Sequence, residues 1–125
     1  MTAKVVVRAS IAPMHIESRV SSTQTSQRLA GHTVEVLEIA GDWLRENTPP
    51  ESSFAYVEIG IVGYYSERYV YDLMGLVSPQ AIPYVAKNDV FGAFRLMPTD
   101  YVIFHTRGRM RPIVQNPWFK RRYRP

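Results

Sequence analysis

The sequence predicts a small three-layer α/β unit, Rossmann-like, with a mostly parallel sheet of about four strands and room for one antiparallel edge strand. Three observations predict it. Short β-branched or aromatic runs alternate with helical patterns, and helices placed between strands imply right-handed crossovers and parallel pairing. The length, 125 residues, suits one domain. Apolar residues make up 46% and charged residues 21%, which excludes a disordered chain.

Residues 4–12 read as a strand from their β-branched content, closed by Pro13, and this strand is the one expected to pair antiparallel at an edge. Residues 17–31 are polar and offer no core-forming face, so they read as a loop or a polar helix. Thr33 to Asn47 carries the clearest helical period, with Val36, Leu37, Ala40, Trp43 and Leu44 on one face. Thr33 is its expected N-cap, and Asn47-Thr48-Pro49-Pro50 its stop. Ser53 to Ile59 reads as a buried strand, and Gly60 to Ser66 as a turn or a short helix. Arg68 to Leu73 is the next strand, closed by Gly75. Ser78-Pro79 opens a helix, Asn88 or Asp89 caps the following one over Val90 to Leu96, and Asp100 to His105 is the last strand.

The charge is unevenly spread. From Arg107 onward there are seven cations (Arg107, Arg109, Arg111, Lys120, Arg121, Arg122 and Arg124) and no acid, whereas residues 1–106 carry −3. The expected organisation is one α/β domain over 1–106 and a basic tail over 107–125, with Pro112 and Pro117 hindering helix packing there. The tail reads either as a solvated segment or as a contact for nucleic acid or anionic lipid. Trp118, Phe119 and Tyr123, interleaved with the cations, either stack on bases, sit in a membrane interface or fold back on the core.

The chemistry-bearing residues are few. Cysteine is absent, which excludes disulfides and thiolate metal sites. His15, His32 and His105 show no metal-ligand spacing, and no serine sits in a G-x-S-x-G elbow. No catalytic residue, metal or cofactor is assigned. In a parallel sheet ligands bind beyond the carboxyl ends of the strands. Glu58 and Asp72 end two predicted strands, so Glu58, Gly60, Gly63, Tyr64, Asp72 and Gly75 form the candidate ligand rim. A carboxylate pair suits acid–base work, a divalent cation or sugar hydroxyls. The competing reading is structural, with Glu58 capping the next turn and Asp72 accepting bonds from the Gly75 loop. Gly60-x-x-Gly63 lacks the third glycine of a dinucleotide fingerprint. The longest apolar stretch, Ile59 to Tyr65, falls far short of the ~20 residues of a spanning helix. The first residues lack the apolar core of a signal peptide, so the isolated chain reads as soluble.

One resemblance narrows the function. Trp43-Leu44-Arg45-Glu46-Asn47-Thr48-Pro49-Pro50, Glu58-Ile59-Gly60-Ile61-Val62-Gly63-Tyr64-Tyr65-Ser66, Val70-Tyr71-Asp72-Leu73-Met74-Gly75-Leu76-Val77-Ser78-Pro79 and Pro98-Thr99-Asp100-Tyr101-Val102-Ile103 follow one another in order. Together they resemble the C-terminal soluble domain of bacterial multi-pass membrane glycosyltransferases of the GT-C kind, related to dolichyl-phosphate-mannose-dependent mannosyltransferases. The resemblance covers about half the chain and implies an extracytoplasmic domain following the last membrane helix, with catalysis located elsewhere in the parent protein. Its implied partners are the parent's membrane portion or the membrane surface, and a glycan or a polyprenyl-phosphate-linked sugar. A start without a membrane helix and an end at Tyr123-Arg124-Pro125 fit a domain cut from a longer protein or a stand-alone relative. Three functions are therefore expected, in this order: a non-catalytic accessory domain of a membrane glycosyltransferase, a nucleic-acid-binding module using 107–124, and a small enzyme using the carboxylate pair.

Overall fold

Five strands form a single sheet in the order β3-β2-β4-β1-β5, and every described pair is parallel. This is a computed structural model describing residues 4–8, 22–104 and 108–124, with side chains in 34–104 and 108–124. The elements are β1 (Lys4–Arg8), α1 (Ser22–Asn47), β2 (Ser53–Tyr56), α2 (Gly60–Ser66), β3 (Tyr69–Asp72), a 3-10 turn (Pro79–Ala81), α3 (Ile82–Ala86), α4 (Val90–Leu96), β4 (Tyr101–Phe104), α5 (Arg111–Val114), α6 (Pro117–Arg122) and β5 (Tyr123–Arg124).

Side-chain alternation along the strands builds three layers. Phe54, Tyr56 and Ile103 pack with Leu37, Ala40 and Leu44 of α1 and Val62 of α2. Ala55, Tyr71 and Val102 face the opposite way and pack with Ala81, Ala93, Phe94, Met110, Ile113 and Phe119. Both faces of the sheet are thus covered, which is why its strands read as nearly continuous apolar runs. Two hydroxyls anchor the second layer: Tyr71 donates to the Ala93 carbonyl at 2.7 Å, and Tyr123 donates to the Thr99 carbonyl.

The layer of α1 and α2 is held by two local devices. Gly41 is where the helices meet, since a Cβ there would stand 2.6 Å from the Tyr65 Cβ. Arg68 joins the two helix ends. Its guanidinium donates to the carbonyls of Arg45 and Thr48 at 2.7 Å each, to those of Ser66 and Glu67 at 3.3 Å each, and to Thr48 Oγ1 at 3.0 Å. Helix carboxyl ends carry unpaired carbonyls and partial negative charge, so a planar cation with five donors suits the position.

The predicted α/β class with a parallel sheet holds, and several expectations are corrected in detail. The sheet has five strands. The N-terminal strand lies inside it, parallel to both β4 and β5, with Val5 opposite Tyr101 and Lys4 opposite Tyr123. The strand order interleaves early and late strands, unlike the 3-2-1-4-5-6 order of dinucleotide folds. The main helix starts at Ser22 rather than Thr33, because no proline interrupts 22–33 and extending a packed helix is cheap once it is nucleated. Trp43 keeps 39% of its surface exposed, so the buried face of α1 is narrower than predicted. Ser78 does not cap the following turn; its Oγ accepts the Asp72 N–H at 3.0 Å. Asp89 caps α4 as expected, accepting the Gly92 N–H at 2.8 Å.

The largest correction concerns the basic tail. Residues 111–124 form α5, α6 and β5, and Met110, Ile113, Phe119 and Tyr123 are buried in the second layer. Pro112 and Pro117 do not obstruct these helices. Both stand in the first turn, where a missing N–H leaves no bond unmade. Asn116 caps α6 by accepting the Trp118 N–H at 2.9 Å. Residues 9–21, His105 and Arg107 lie outside the described residues, as do the side chains of His15 and His32.

Candidate binding site

The two acid-ended segments do finish side by side: β2 and β3 are neighbours with Tyr56 opposite Asp72, and Glu58 follows two residues on. The carboxylates nevertheless do not work as a pair. Asp72 is fully buried. Its Oδ1 accepts the Met74 N–H at 2.8 Å, and its Oδ2 accepts the Val77 N–H at 3.0 Å. Its main chain is committed too, with the N–H donating to Ser78 Oγ and the carbonyl accepting the Gly75 N–H at 3.2 Å. Leu73 N–H points inward to the Tyr56 carbonyl, so by alternation the Asp72 main-chain groups face away from β2. The 73–78 loop therefore folds back and covers the outer edge of the sheet at Asp72. This is the structural role weighed against the ligand role in the sequence.

The other rim residues diverge. Glu58 is exposed, and its charge adds to burial in raising the Tyr56 hydroxyl above its ordinary pKa, burial being the larger cause. A Cβ added at Gly60 would meet nothing within 4 Å, and one at Gly63 would meet only Val70 Cγ1 at 3.9 Å. Neither glycine has positive φ, so Gly60-x-x-Gly63 does not form a left-handed phosphate cradle. Tyr64 is 79% exposed on α2, edge-on to Tyr65 at 5.3 Å. Tyr65 in turn donates to Glu38 Oε1 at 3.1 Å, which raises its pKa. Gly75 does need its glycine: φ is +82°, and Ile82 Cγ1 would lie 2.8 Å from a Cβ.

A concave site lies next to this loop. A groove of about 340 Å³ opens between the end of β3, the α3–α4 junction and the residues entering α5. Its walls are apolar, from Leu73, Met74, Val85, Val90 and Pro112. Asn88 and Asp89 line one side and Gly108 and Arg109 the other. Two of these bend the chain through left-handed backbone, Asn88 at φ +54° and Gly108 at φ +108°. Arg109 is exposed, with Nη1 3.3 Å from Met74 Sδ. Among the described residues no carboxylate lies within ion-pair distance of it. The volume falls in the lower part of the small-ligand range, roughly 300–1,000 Å³. Of the predicted rim, Asp72 and Gly75 shape this groove's wall from behind, while Glu58, Gly60, Gly63 and Tyr64 belong to the segment leading into α2.

Sequence reasoning missed Asn88 and Gly108 as site residues and counted Arg109 only as tail charge. The available signals were the Asn-Asp pair before a helix and a glycine flanked by two arginines. Among the described residues no group of three or more His, Asp or Glu is placed to hold a metal ion. The described cations of the C-terminal segment, Arg109, Arg111, Lys120, Arg121, Arg122 and Arg124, are all exposed. Its aromatics are not. Phe119 stacks on Tyr123 at 4.5 Å, and Trp118 meets Phe91 and Phe94 edge-on with Arg122 4.3 Å above its ring. Of the three uses considered for them, folding back on the core is the one observed.

Fold and groove together define a small three-layer α/β domain whose concave site lies beyond the carboxyl end of a parallel strand. No described helix is long and apolar enough to cross a membrane. The chain belongs to the family described as Domain of unknown function (DUF8728), which matches residues 21–125. No curated protein and no solved structure matches it.

Proposed function

We propose that this chain is a non-catalytic, ligand-binding accessory domain of a membrane glycosyltransferase, acting on the extracytoplasmic side. The carboxyl-edge groove is its contact for a glycan acceptor, a polyprenyl-phosphate-linked sugar or the parent enzyme. One observation carries the proposal: a ligand-sized groove forms where parallel-sheet proteins bind ligands. The run Val70 to Pro79, part of the glycosyltransferase-like pattern, supports it. Asp72 holds that run folded, so that Leu73 and Met74 present a groove wall.

The other two expectations fare less well on geometry. An enzyme built on Glu58 and Asp72 needs a carboxylate that Asp72 has already given to two backbone donors. A nucleic-acid module keeps the exposed cations but has its aromatic rings packed inward.

The test is saturation-transfer NMR with free glycans and with a polyprenyl-phosphate-linked sugar. Saturation transfer from the wild-type protein to the ligand, lost in Pro112→Trp, which fills the groove from an exposed position, is the expected result. No saturation transfer to any of these ligands refutes the groove as a site for a glycan or a polyprenyl-phosphate-linked sugar.

A further inference from the structure

We propose that the slot between β4 and β5 is a strand-acceptor site, which takes the segment Lys4–Arg8 from a second copy of this chain as well as from its own. This inference is independent of the groove. Three observations carry it. The first is a mismatch between the sheet and the family. Every described element but β1 lies within 21–125, the span that matches the family. The sheet of that span is nonetheless incomplete by itself. β1 stands between β4 and β5, pairing four residues with the one and two with the other, and β4 and β5 do not pair with each other. Without β1, β4 would be a bare edge strand, and β5 would stand two strand spacings away, about 9.5 Å.

The second is that the walls of the slot are held without β1. Phe119 and Tyr123 are buried in the second layer and stack on each other. The Tyr123 hydroxyl donates to the carbonyl of Thr99, two residues ahead of β4. β5 is thus tied to the start of β4 by a route that bypasses β1, so the slot keeps its width when β1 leaves. One strand wide, it offers main-chain donors and acceptors from both sides, the groups that bind an added strand.

The third is the donor. Lys-Val-Val-Val-Arg is a β-branched run between two cations, the composition of a strand in a parallel sheet covered on both faces. Thirteen residues separate Arg8 from Ser22. Their extended length is about 45 Å, against a diameter of about 35 Å for a domain of this size. The tether is long enough to carry β1 into a neighbour's slot, and a second copy's β1 fits that slot by identity, in the same parallel register.

The experiment measures fluorescence anisotropy of a labelled peptide of residues 2–10 against the full chain. In the wild type the resident β1 competes at an effective concentration in the millimolar range, so the peptide binds weakly. Val6→Pro removes an N–H from the middle of the resident strand and bars it from the ladder. The variant is expected to bind the peptide about tenfold more tightly than the wild type, or better, a gain that damage to the fold does not produce. A peptide carrying the same proline is expected not to bind. If the variant alone is unfolded, the peptide is expected to restore a cooperative melt.

A second arm tests the second copy as donor. Sedimentation of the wild-type chain over a rising concentration series is expected to show a dimer that Val6→Pro does not form. Equal peptide affinity in the wild type and the variant, equal binding of the proline-containing peptide, or an unfolded variant that the peptide does not rescue overturns the inference. So does a wild-type chain that stays monomeric at every concentration.

Discussion

Replacing Asp72 separates a structural carboxylate from a functional one. In Asp72→Ala the N–H groups of Met74 and Val77 lose their acceptors at 2.8 and 3.0 Å, and the buried site gains a small void. A hydrogen bond to a charged group contributes about 1.5–3 kcal/mol. Met74 is half-buried and Val77 exposed, so water replaces part of what is lost and the lower end of the range applies. Two such bonds give a loss of about 3 kcal/mol, a large share of the roughly 6–19 kcal/mol expected for a domain of this size. The melting temperature should fall by about 10 °C. Asp72→Asn keeps the shape but turns an NH2 group toward one of the two donors, so it should recover less than half of the loss. The assay is urea and thermal unfolding followed by circular dichroism, with an unchanged denaturant slope showing that stability alone has moved. An unchanged midpoint refutes the structural role. A raised midpoint does more, because stabilisation on removal marks a carboxylate held strained for function.

Arg68→Ala should cost about 2–3 kcal/mol by uncovering the carboxyl ends of both α1 and α2, and Arg68→Lys should recover little because an ammonium cannot span the same carbonyls. Chemical-denaturation midpoints of the two variants check this, and equal midpoints for Arg, Lys and Ala would contradict it. Truncation after residue 107 removes the buried Met110, Ile113, Phe119 and Tyr123, about 10 kcal/mol of burial, and should leave an unfolded chain. A cooperatively melting 1–107 fragment would instead show an independent domain with a separate tail. Alkali should destabilise the fold. Tyr56 and Tyr123 are raised above their unfolded value near 10, mainly by burial, so the native state keeps protons that the unfolded state releases. Their stabilising effect is complete below about pH 10 and falls above it, by about 1.4 kcal/mol per pH unit for each tyrosine. Urea midpoints measured either side of that pH test the slope, and a flat profile would contradict it.

Elements bounded by strong punctuation were legible in the sequence. The helix Val90–Leu96 follows a capping Asp89 and ends before Pro98, and it forms over the expected residues. The parallel neighbours β2 and β3 were legible because each is a short apolar run ended by glycine-containing segments. The C-terminal segment was misjudged because charge density masked its apolar spacing. Met110 and Ile113, then Phe119 and Tyr123, lie three and four residues apart and face one core, while the cations between them face water. The central position of β1 was not legible, since a strand's neighbours depend on which later segments return to it. The groove was hidden for a related reason. Its residues come from three separated stretches, 73–74, 85–90 and 108–112, and no local window contains them. Asp72 was found, but a carboxylate aimed at backbone donors reads the same in sequence as one aimed at a ligand.

Where a ligand touches the protein decides the matter most directly. Amide-shift mapping of the isotope-labelled chain with a polyprenyl-phosphate-linked sugar should perturb Met74, Asn88, Gly108 and Arg109 and leave Glu58, Gly60, Gly63 and Tyr64 unmoved. Perturbations centred on that second set would contradict the account, because they would return recognition to the segment that leads into α2.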